Sequence, residues 1–493
     1  MKTRRDTEPP APPSVAAERM TAMDAAWLRL DSPSSRMAII GLWLLRPAIT
    51  LQALRERVAA RLLRHGRFRQ RVVEDAQGPR WVEDEHFDLA RHVVPDRLRR
   101  RRGQALEAAL QDRVAELAAQ PLDPAHPLWQ MHLVESHDGG SALMVRVHHC
   151  LADGIALIGV MLSITDDAMP GAPPPRARTH RSRQDAADAE ADAFGEAFLK
   201  PINDWTVRAI QQRAMQRPVP SSGEGRAEGE DASTEAAEFL SAQITSDMAA
   251  LAFVADDSRT RLKGRPGVAK RVAWGRGVAL DAVKALSKSL GVSVNDVLMS
   301  CVAGAIGTYL RAHGDDPRGQ EIRAMVPVNL RPIEEAWQLG NRFGVVPVVL
   351  PIGISNPVQR LYAVHARMAA LKSSLQPVLA FGLMAAAGLL RPEQQVLLND
   401  FQRKATAVIT NVPGPSTPLR FCGAMVERVM FWVPQSGDVG VGVSLLTYAG
   451  QVQFGLLTDA GLCPDPQTLV DAFEPEFEQL LTLALMLPWE AAG

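Results

Sequence analysis

The stretch RVHHCLADGIALIGVM, residues 146–161, decides how the rest of the chain is read. It closes ALMVRVHH (142–149), an apolar run that predicts a strand. From Gly154, GIALIGVML reads as a helix. Strand residues alternate faces, so His148 and His149 point opposite ways and only one can face a given cleft. That counts against a two-histidine metal site. A histidine leaving a strand for a loop is well placed to act as a general base, which needs an imidazole with a pKa near working pH and within reach of the proton it removes. Asp153 has two compatible roles open: helix N-cap, or a carboxylate that holds an arginine and fixes the loop. Cys150 is a second candidate nucleophile, although its place beside His149 in sequence does not make the two partners in space.

Outward from this stretch, the 493 residues exceed what one core supports and predict two domains. Hydrophobic residues make up 46% and charged residues 22%, an ordinary globular balance. The 54 basic and 55 acidic residues leave a net charge of -1, which argues against a nucleic-acid binder. Cys150, Cys301, Cys422 and Cys463 show no CxxC spacing, so neither a disulfide framework nor a cysteine zinc site is indicated, and a reduced cytoplasmic setting is expected. Residues 1–19 lack the apolar core of a signal peptide and read as a disordered leader. No apolar run reaches the ~18–20 residues needed to span a bilayer. The nearest, PVLAFGLMAAAGLL (377–390), is read as a core helix, with an apolar helix at a lipid site or membrane surface as the alternative.

Residues 20–170 alternate helix signals (LQALRERVAARLLRH, 51–65) with strand signals (MAIIGLWLLR, 37–46). Residues 171–264 are Pro-rich, then charged, and read as a long connector of helical and irregular structure. From 265 to 493 the mixture returns: AKRVAWGRGV, RAMVPVNL, GVVPVVLPIG, ATAVITNV and VGVSLLTYAGQVQFGLLTD are strand-like, and two helices end at Gly291 and Gly314. The fold class is therefore α/β (α+β), with two mixed layered domains. RLRRRRG (97–103) is a solvated face, a headgroup contact or a phosphate contact. GDVGVG (437–442) is a strand-entry turn, and no GxSxG elbow is present.

HHCLADG matches the HHxxxDG motif of the acyltransferase superfamily that includes chloramphenicol acetyltransferase and peptide-synthetase condensation domains. Within it, HPLWQMHLVE (126–135), VSVNDVLMSCVAGAI (292–306) and ITNVPGPSTPLRFCG (409–423) resemble the PLW, ND and NVPGP motifs of bacterial wax ester synthase/diacylglycerol acyltransferases. MDAAWLRLDSPSSRMAIIGL (23–42) and RWVEDEHFDLARHV (80–93) also look like that family.

The resemblance implies two chloramphenicol-acetyltransferase-like domains with a tunnel between them. It implies acyl-CoA as donor and a long-chain alcohol or diacylglycerol as acceptor, with no cofactor, metal or covalent acyl-enzyme. By it, His149 is the base, His148 supports it, and Asp153 orients the loop through an unidentified arginine. Gly154 allows close backbone approach or the turn. Asn295 is an oxyanion donor, a role worth about 3 kcal/mol, or an N-cap or helix-start residue. Asp296 pairs with a basic side chain or complements a helix N-terminus. Pro127, Leu128 and Trp129 read as packing first and channel wall second. Asn411, Val412, Pro413, Gly414 and Pro415 form a rigid turn and a wall of the acyl or CoA channel. Such substrates add an expected peripheral association with the inner face of a membrane or with lipid droplets. Three competing readings stay open: a condensation-type enzyme with a carrier-bound donor or another hydroxyl acceptor, a non-catalytic lipid-binding protein, and a metalloenzyme.

Overall fold

The computed structural model describes residues 18–167, 246–247, 251, 257–330, 339–372, 374–389 and 405–486. The first part runs β1 (Glu18–Arg19), α1 (Ala22–Arg29), β2 (Ala38–Arg46), α2 (Leu51–Ala60), β3 (Gln70–Asp75), β4 (Gly78–Glu83), α3 (Leu89–His92), β5 (Val93–Pro95), α4 (Leu106–Ala119), β6 (Trp129–His137), β7 (Gly140–His148) and α5 (Gly154–Ser163). The second runs β8 (Lys270–Trp274), β9 (Val278–Ala279), α6 (Leu280–Ser289), α7 (Val294–Ala312), β10 (Ile322–Asn329), β11 (Phe343–Leu350), α8 (Pro357–Lys372) and α9 (Gln376–Leu389). It continues through β12 (Ala407–Val412), β13 (Arg420–Phe421), β14 (Ala424–Trp432), β15 (Val441–Tyr448), β16 (Gln451–Asp459) and α10 (Pro466–Met486).

Two large sheets carry the molecule. The first has the order β13-β14-β2-β7-β6-β5. Its two faces follow the period-two alternation of strand side chains. Ile39, Trp43, Val145 and Val147 face a core shared with α1, α2 and α5, while Ile40, Leu42, Ala142 and Met144 face α4. β7 is therefore buried along its whole length, as its unbroken apolar pattern predicts. The second sheet has the order β11-β10-β12-β15-β16-β8, with β9 beside β16. Ala407 and Ile409 of β12 face the core built with α6, α7, α8 and α10, and Val408, Thr410 and Val412 turn toward a cavity. α7 packs so closely that a Cβ on Gly307 would lie 2.5 Å from the Ile352 carbonyl oxygen.

The expected division at 170 and 265 is not a division in space. β14 pairs antiparallel with β2, from Met425–Arg46 to Trp432–Ile40, so residues 420–432 complete the first sheet. A strand edge as apolar as AIIGL needs a partner, and the later half supplies it. The leader is also shorter than expected, since Glu18 and Arg19 pair with Trp81 and Arg80. Most of the 171–264 connector lies outside the described residues. Its end does not behave as a connector: Asp257 accepts hydrogen bonds from Thr406 Oγ1 (2.8 Å) and the Arg323 backbone N–H (3.0 Å). Among the described residues no single helix is long and apolar enough to cross a membrane.

Candidate active site

The loop after β7 crosses the seam between the two halves. Residues 339–343, which lead into β11, dock onto it. Gly340 N–H donates to Leu151 O at 3.1 Å, and Asp153 N–H donates to Gly340 O at 3.3 Å. Gly340 has φ of 103°, a conformation open to glycine and strained for other residues. Asp153 fixes the joint from its own side. Its Oδ1 accepts the Ala156 N–H at 2.9 Å as N-cap of α5, and its Oδ2 accepts the Arg342 backbone N–H at 3.1 Å.

This joint delivers Asn341 and Phe343 to His149. The imidazole stacks on Trp27 at 4.3 Å and 15°, with Phe343 at 5.5 Å on a tilted plane. His149 Nδ1 meets Asn341 Oδ1 at 2.9 Å, and Asn341 Nδ2 donates to Asp24 Oδ1 (2.8 Å) and to His149 O (2.7 Å). The Asn341 backbone N–H also donates to Asp24 Oδ1, at 3.0 Å. Burial pushes the His149 imidazole below its usual range, against the pull of Asp153 and Asn341, so it stands as a neutral base. Burial raises the Asp24 carboxyl, with hydrogen bonds from Asn341 and Thr21 acting the other way.

His148 points to the other side of the strand. It accepts the Cys150 backbone N–H at Nδ1 (3.2 Å), and its Nε2 lies 3.8 Å from Asp31 Oδ1. Burial pushes it down to about 4. Burial drives the Cys150 thiol far above its usual value, so it holds its proton and is no nucleophile at neutral pH.

His149 opens onto an apolar cavity of about 180 Å³ lined by Trp27, Val326, Val345, Met368 and Met384, with Lys372 among the few charged groups on its wall. Asn295 and Asn411 face the same cavity. Asn411 Nδ2 donates to Asn295 Oδ1 at 3.2 Å, which leaves the Asn295 amide hydrogens for another acceptor. Asn295 lies in the first turn of α7 but is not its cap. Ser293 is, in a capping box with Asp296, whose Oδ2 also meets His365 Nδ1 at 2.8 Å. Asp296 does not line the cavity.

A second cavity of about 80 Å³ lies between α5 and the first sheet, walled by Ile39, Trp43, Val147, Leu157, Met161 and Phe431. Gly154 borders both cavities. Neither backbone approach nor the turn requires glycine there. A Cβ would meet only Val412 Cγ2, at an ordinary 3.9 Å. Val412 lines the first cavity, and Gly414 and Pro415 the second; Pro413 is on neither wall. The Gly414 backbone does approach closely, with a Cβ position 2.3 Å from Thr447 O.

Pro127, Leu128 and Trp129 line neither cavity. Leu128 and Trp129 sit in the first core, where Trp129 Nε1 donates to Phe68 O at 2.8 Å and its ring stacks on His92. Asp24, Trp27, Asn341 and Phe343 were missed as site residues. MDAAW was visible as a family-like start, but nothing local marks Asn341. Among the described residues no three His, Cys, Asp or Glu side chains gather to hold a metal ion.

A buried histidine at the seam of two mixed α/β lobes, followed by Asp-Gly and opening on an apolar cavity, is the arrangement of an acyltransferase of the HHxxxDG type. More particularly, the chain belongs to the wax ester synthase/diacylglycerol acyltransferase family. Residues 20–298 match its catalytic domain, and residues 339–481 match the WS/DGAT C-terminal domain. The chain is 28% identical over 477 residues to the probable diacylglycerol O-acyltransferase tgs1 of Mycobacterium tuberculosis, covering 94% of this chain and 96% of that one. Its fold is similar to the wax ester synthase/diacylglycerol acyltransferase from Marinobacter aquaeolei VT8, with a TM-score of 0.61, 23% identity, and coverage of 95% and 99%. It is also similar to the first condensation domain of the calcium-dependent antibiotic synthetase, with a TM-score of 0.53, 16% identity, and coverage of 96% and 97%. These two likenesses establish the fold.

Proposed function

We propose that this enzyme moves a long-chain acyl group from acyl-CoA to the hydroxyl of a long-chain alcohol or of diacylglycerol. The observation that carries the reading is a buried His149 whose Nδ1 is engaged and whose ring borders an apolar cavity. His149 Nε2 takes the hydroxyl proton as the oxygen attacks the thioester carbonyl. The carbonyl π electrons move to oxygen, and Asn295 Nδ2 donates to that oxyanion. Collapse re-forms the carbonyl, breaks the C–S bond and expels the CoA thiolate, which takes the proton from the His149 imidazolium. The base is thereby regenerated, with no acyl-enzyme, metal or resident cofactor in the cycle. General-base assistance contributes roughly 10²–10⁴-fold.

The two cavities that Gly154 borders suit two hydrocarbon chains, one on each side of the reacting carbon. α9 lines the first cavity through Pro377 and Met384 and exposes Leu383, which suits uptake of acceptor from a membrane surface or a lipid droplet. The test is CoA release from palmitoyl-CoA with hexadecanol, with dioleoylglycerol, or with no acceptor, beside His149→Ala. Acceptor-dependent release that vanishes in the variant supports the reading. Release only from a carrier-bound donor, or chain binding with no release from any donor, overturns it.

A further inference from the structure

We propose that Asp24 and Asn341 are positioning residues for His149: a buried carboxylate orients a neutral carboxamide, and the carboxamide holds the imidazole as its Nδ1–H tautomer with the Nε2 lone pair toward the acceptor. The inference rests on the reading of His149 as the base.

The geometry leaves one arrangement. Both Asn341 Nδ2 hydrogens are engaged, by Asp24 Oδ1 and by His149 O. Turning the amide over would set its oxygen against a carboxylate and a carbonyl, neither of which can donate. Asn341 Oδ1 therefore faces His149 Nδ1. An amide oxygen only accepts, so Nδ1 must carry the proton. The ring cannot pivot away, because Trp27 and Phe343 lie against it. Each supporting segment thus gives one polar and one aromatic side chain, Asp24 and Trp27 from α1, Asn341 and Phe343 from the 339–343 segment. The base is assembled only when the two halves of the chain meet.

The choice of a carboxamide has a chemical consequence. A carboxylate on Nδ1 favours the imidazolium and raises a histidine pKa by roughly 1–3 units. Asn341 orients the ring without adding that charge, and the carboxylate stands one residue further out, on Asp24. The other charged group acting on the ring is Asp153, whose oxygens accept the Ala156 and Arg342 N–H groups, while His148 and Asp31 lie on the far side of the strand. Arg67 acts on Asp24 from behind α1, Arg342 lies beside Asn341 on the docking segment, and Lys372 is on the cavity wall.

The experiment uses the full chain and five variants. Asn341→Asp is nearly isosteric and is expected to move the acid limb of kcat/KM up by about one pH unit or more, with kcat largely regained at high pH. Asn341→Ala is expected to lower kcat by about 10²-fold with little change in KM for acyl-CoA. Asp24→Asn keeps an acceptor oxygen and is expected to restore most of the rate lost in Asp24→Ala. The ¹⁵N shifts of the His149 ring, assigned with His149→Ala, are expected to report a protonated Nδ1. An unmoved acid limb in folded Asn341→Asp, or a protonated Nε2 in the parent protein, would overturn the proposal. The nitrogen shifts need no turnover, so failure of the relay and failure of the acyl-transfer reading are seen separately.

Discussion

Replacing His149 with alanine separates chemistry from architecture. The chemical loss is the base itself, about 10²–10⁴-fold in kcat, or about 3–5 kcal/mol of barrier. The structural loss is the stack on Trp27, about 0.5–1.5 kcal/mol, and a buried Asn341 oxygen left without its donor, about 1–3 kcal/mol. The variant should therefore be about 2–4 kcal/mol less stable, measured by urea unfolding, and nearly inactive in a CoA-release assay at temperatures where it is folded. His148→Ala loses an acceptor for the Cys150 N–H and touches neither cavity, so its kcat should stay within about tenfold of the parent. Added imidazole should restore part of the activity of His149→Ala and none of any loss in His148→Ala. Equal residual kcat in the two folded variants would refute the assignment of the base to His149.

Trp129→Ala should cost about 3–5 kcal/mol of stability and leave the preference between hexadecanol and dioleoylglycerol unchanged; a changed preference with unchanged stability would restore Trp129 to the channel. Asp153→Ala removes an N-cap, about 1 kcal/mol, together with the acceptor for Arg342 N–H, so both unfolding midpoint and kcat should fall; an unaltered midpoint would deny the joint its structural part. His148 is held at about 4 when folded and titrates near 6.5 when unfolded. Between those values the unfolded chain binds the proton first, so stability falls as pH drops from 6.5 toward 4. His148→Gln should flatten that fall, as followed by urea midpoints across pH, and an unchanged slope would count against it. Met161→Trp fills the second cavity and should reduce kcat/KM for palmitoyl-CoA more than for octanoyl-CoA; equal loss across chain lengths would mean no chain end reaches that space.

Much of the architecture was legible because it is local. The β7–loop–α5 unit follows from a continuous apolar run, an N-capping aspartate and a helical periodicity, all within two dozen residues. The turns after α6 and α7 were marked by Gly291 and Gly314, both with positive φ. The remaining parts of the site are matters of docking. Asp24 and Asn341 lie more than a hundred residues from His149 on either side, and an Asp or Asn at those positions looks like any helix-start or loop residue. Their role appears only when α1 and the 339–343 segment converge. PLW shows the opposite case: its reading as packing holds for Leu128 and Trp129, and the channel-wall alternative came only from the motif, because the same apolar bulk would serve either place. Gly154 invited an argument from backbone freedom, whereas a Cβ there would meet only Val412 at van der Waals distance. The placement of 420–432 in the first sheet could not be read at all, because an apolar strand does not say which sheet it will complete.

That borrowed strand sets an order of events during synthesis. β2 and β7 leave the ribosome early, but the partner that covers β2, β14, follows roughly 280 residues after β7. At bacterial-to-eukaryotic elongation rates of about 5–20 residues per second, the bare edge waits roughly 15–60 s. Through that interval the nascent chain carries an apolar strand edge of the kind that pairs with strangers. The first sheet therefore cannot be completed ahead of the rest. Its completion, the arrival of Asn341 and the closing of the cavity are late steps that occur close together. A chain released early would be an adhesive fragment, not a half-enzyme.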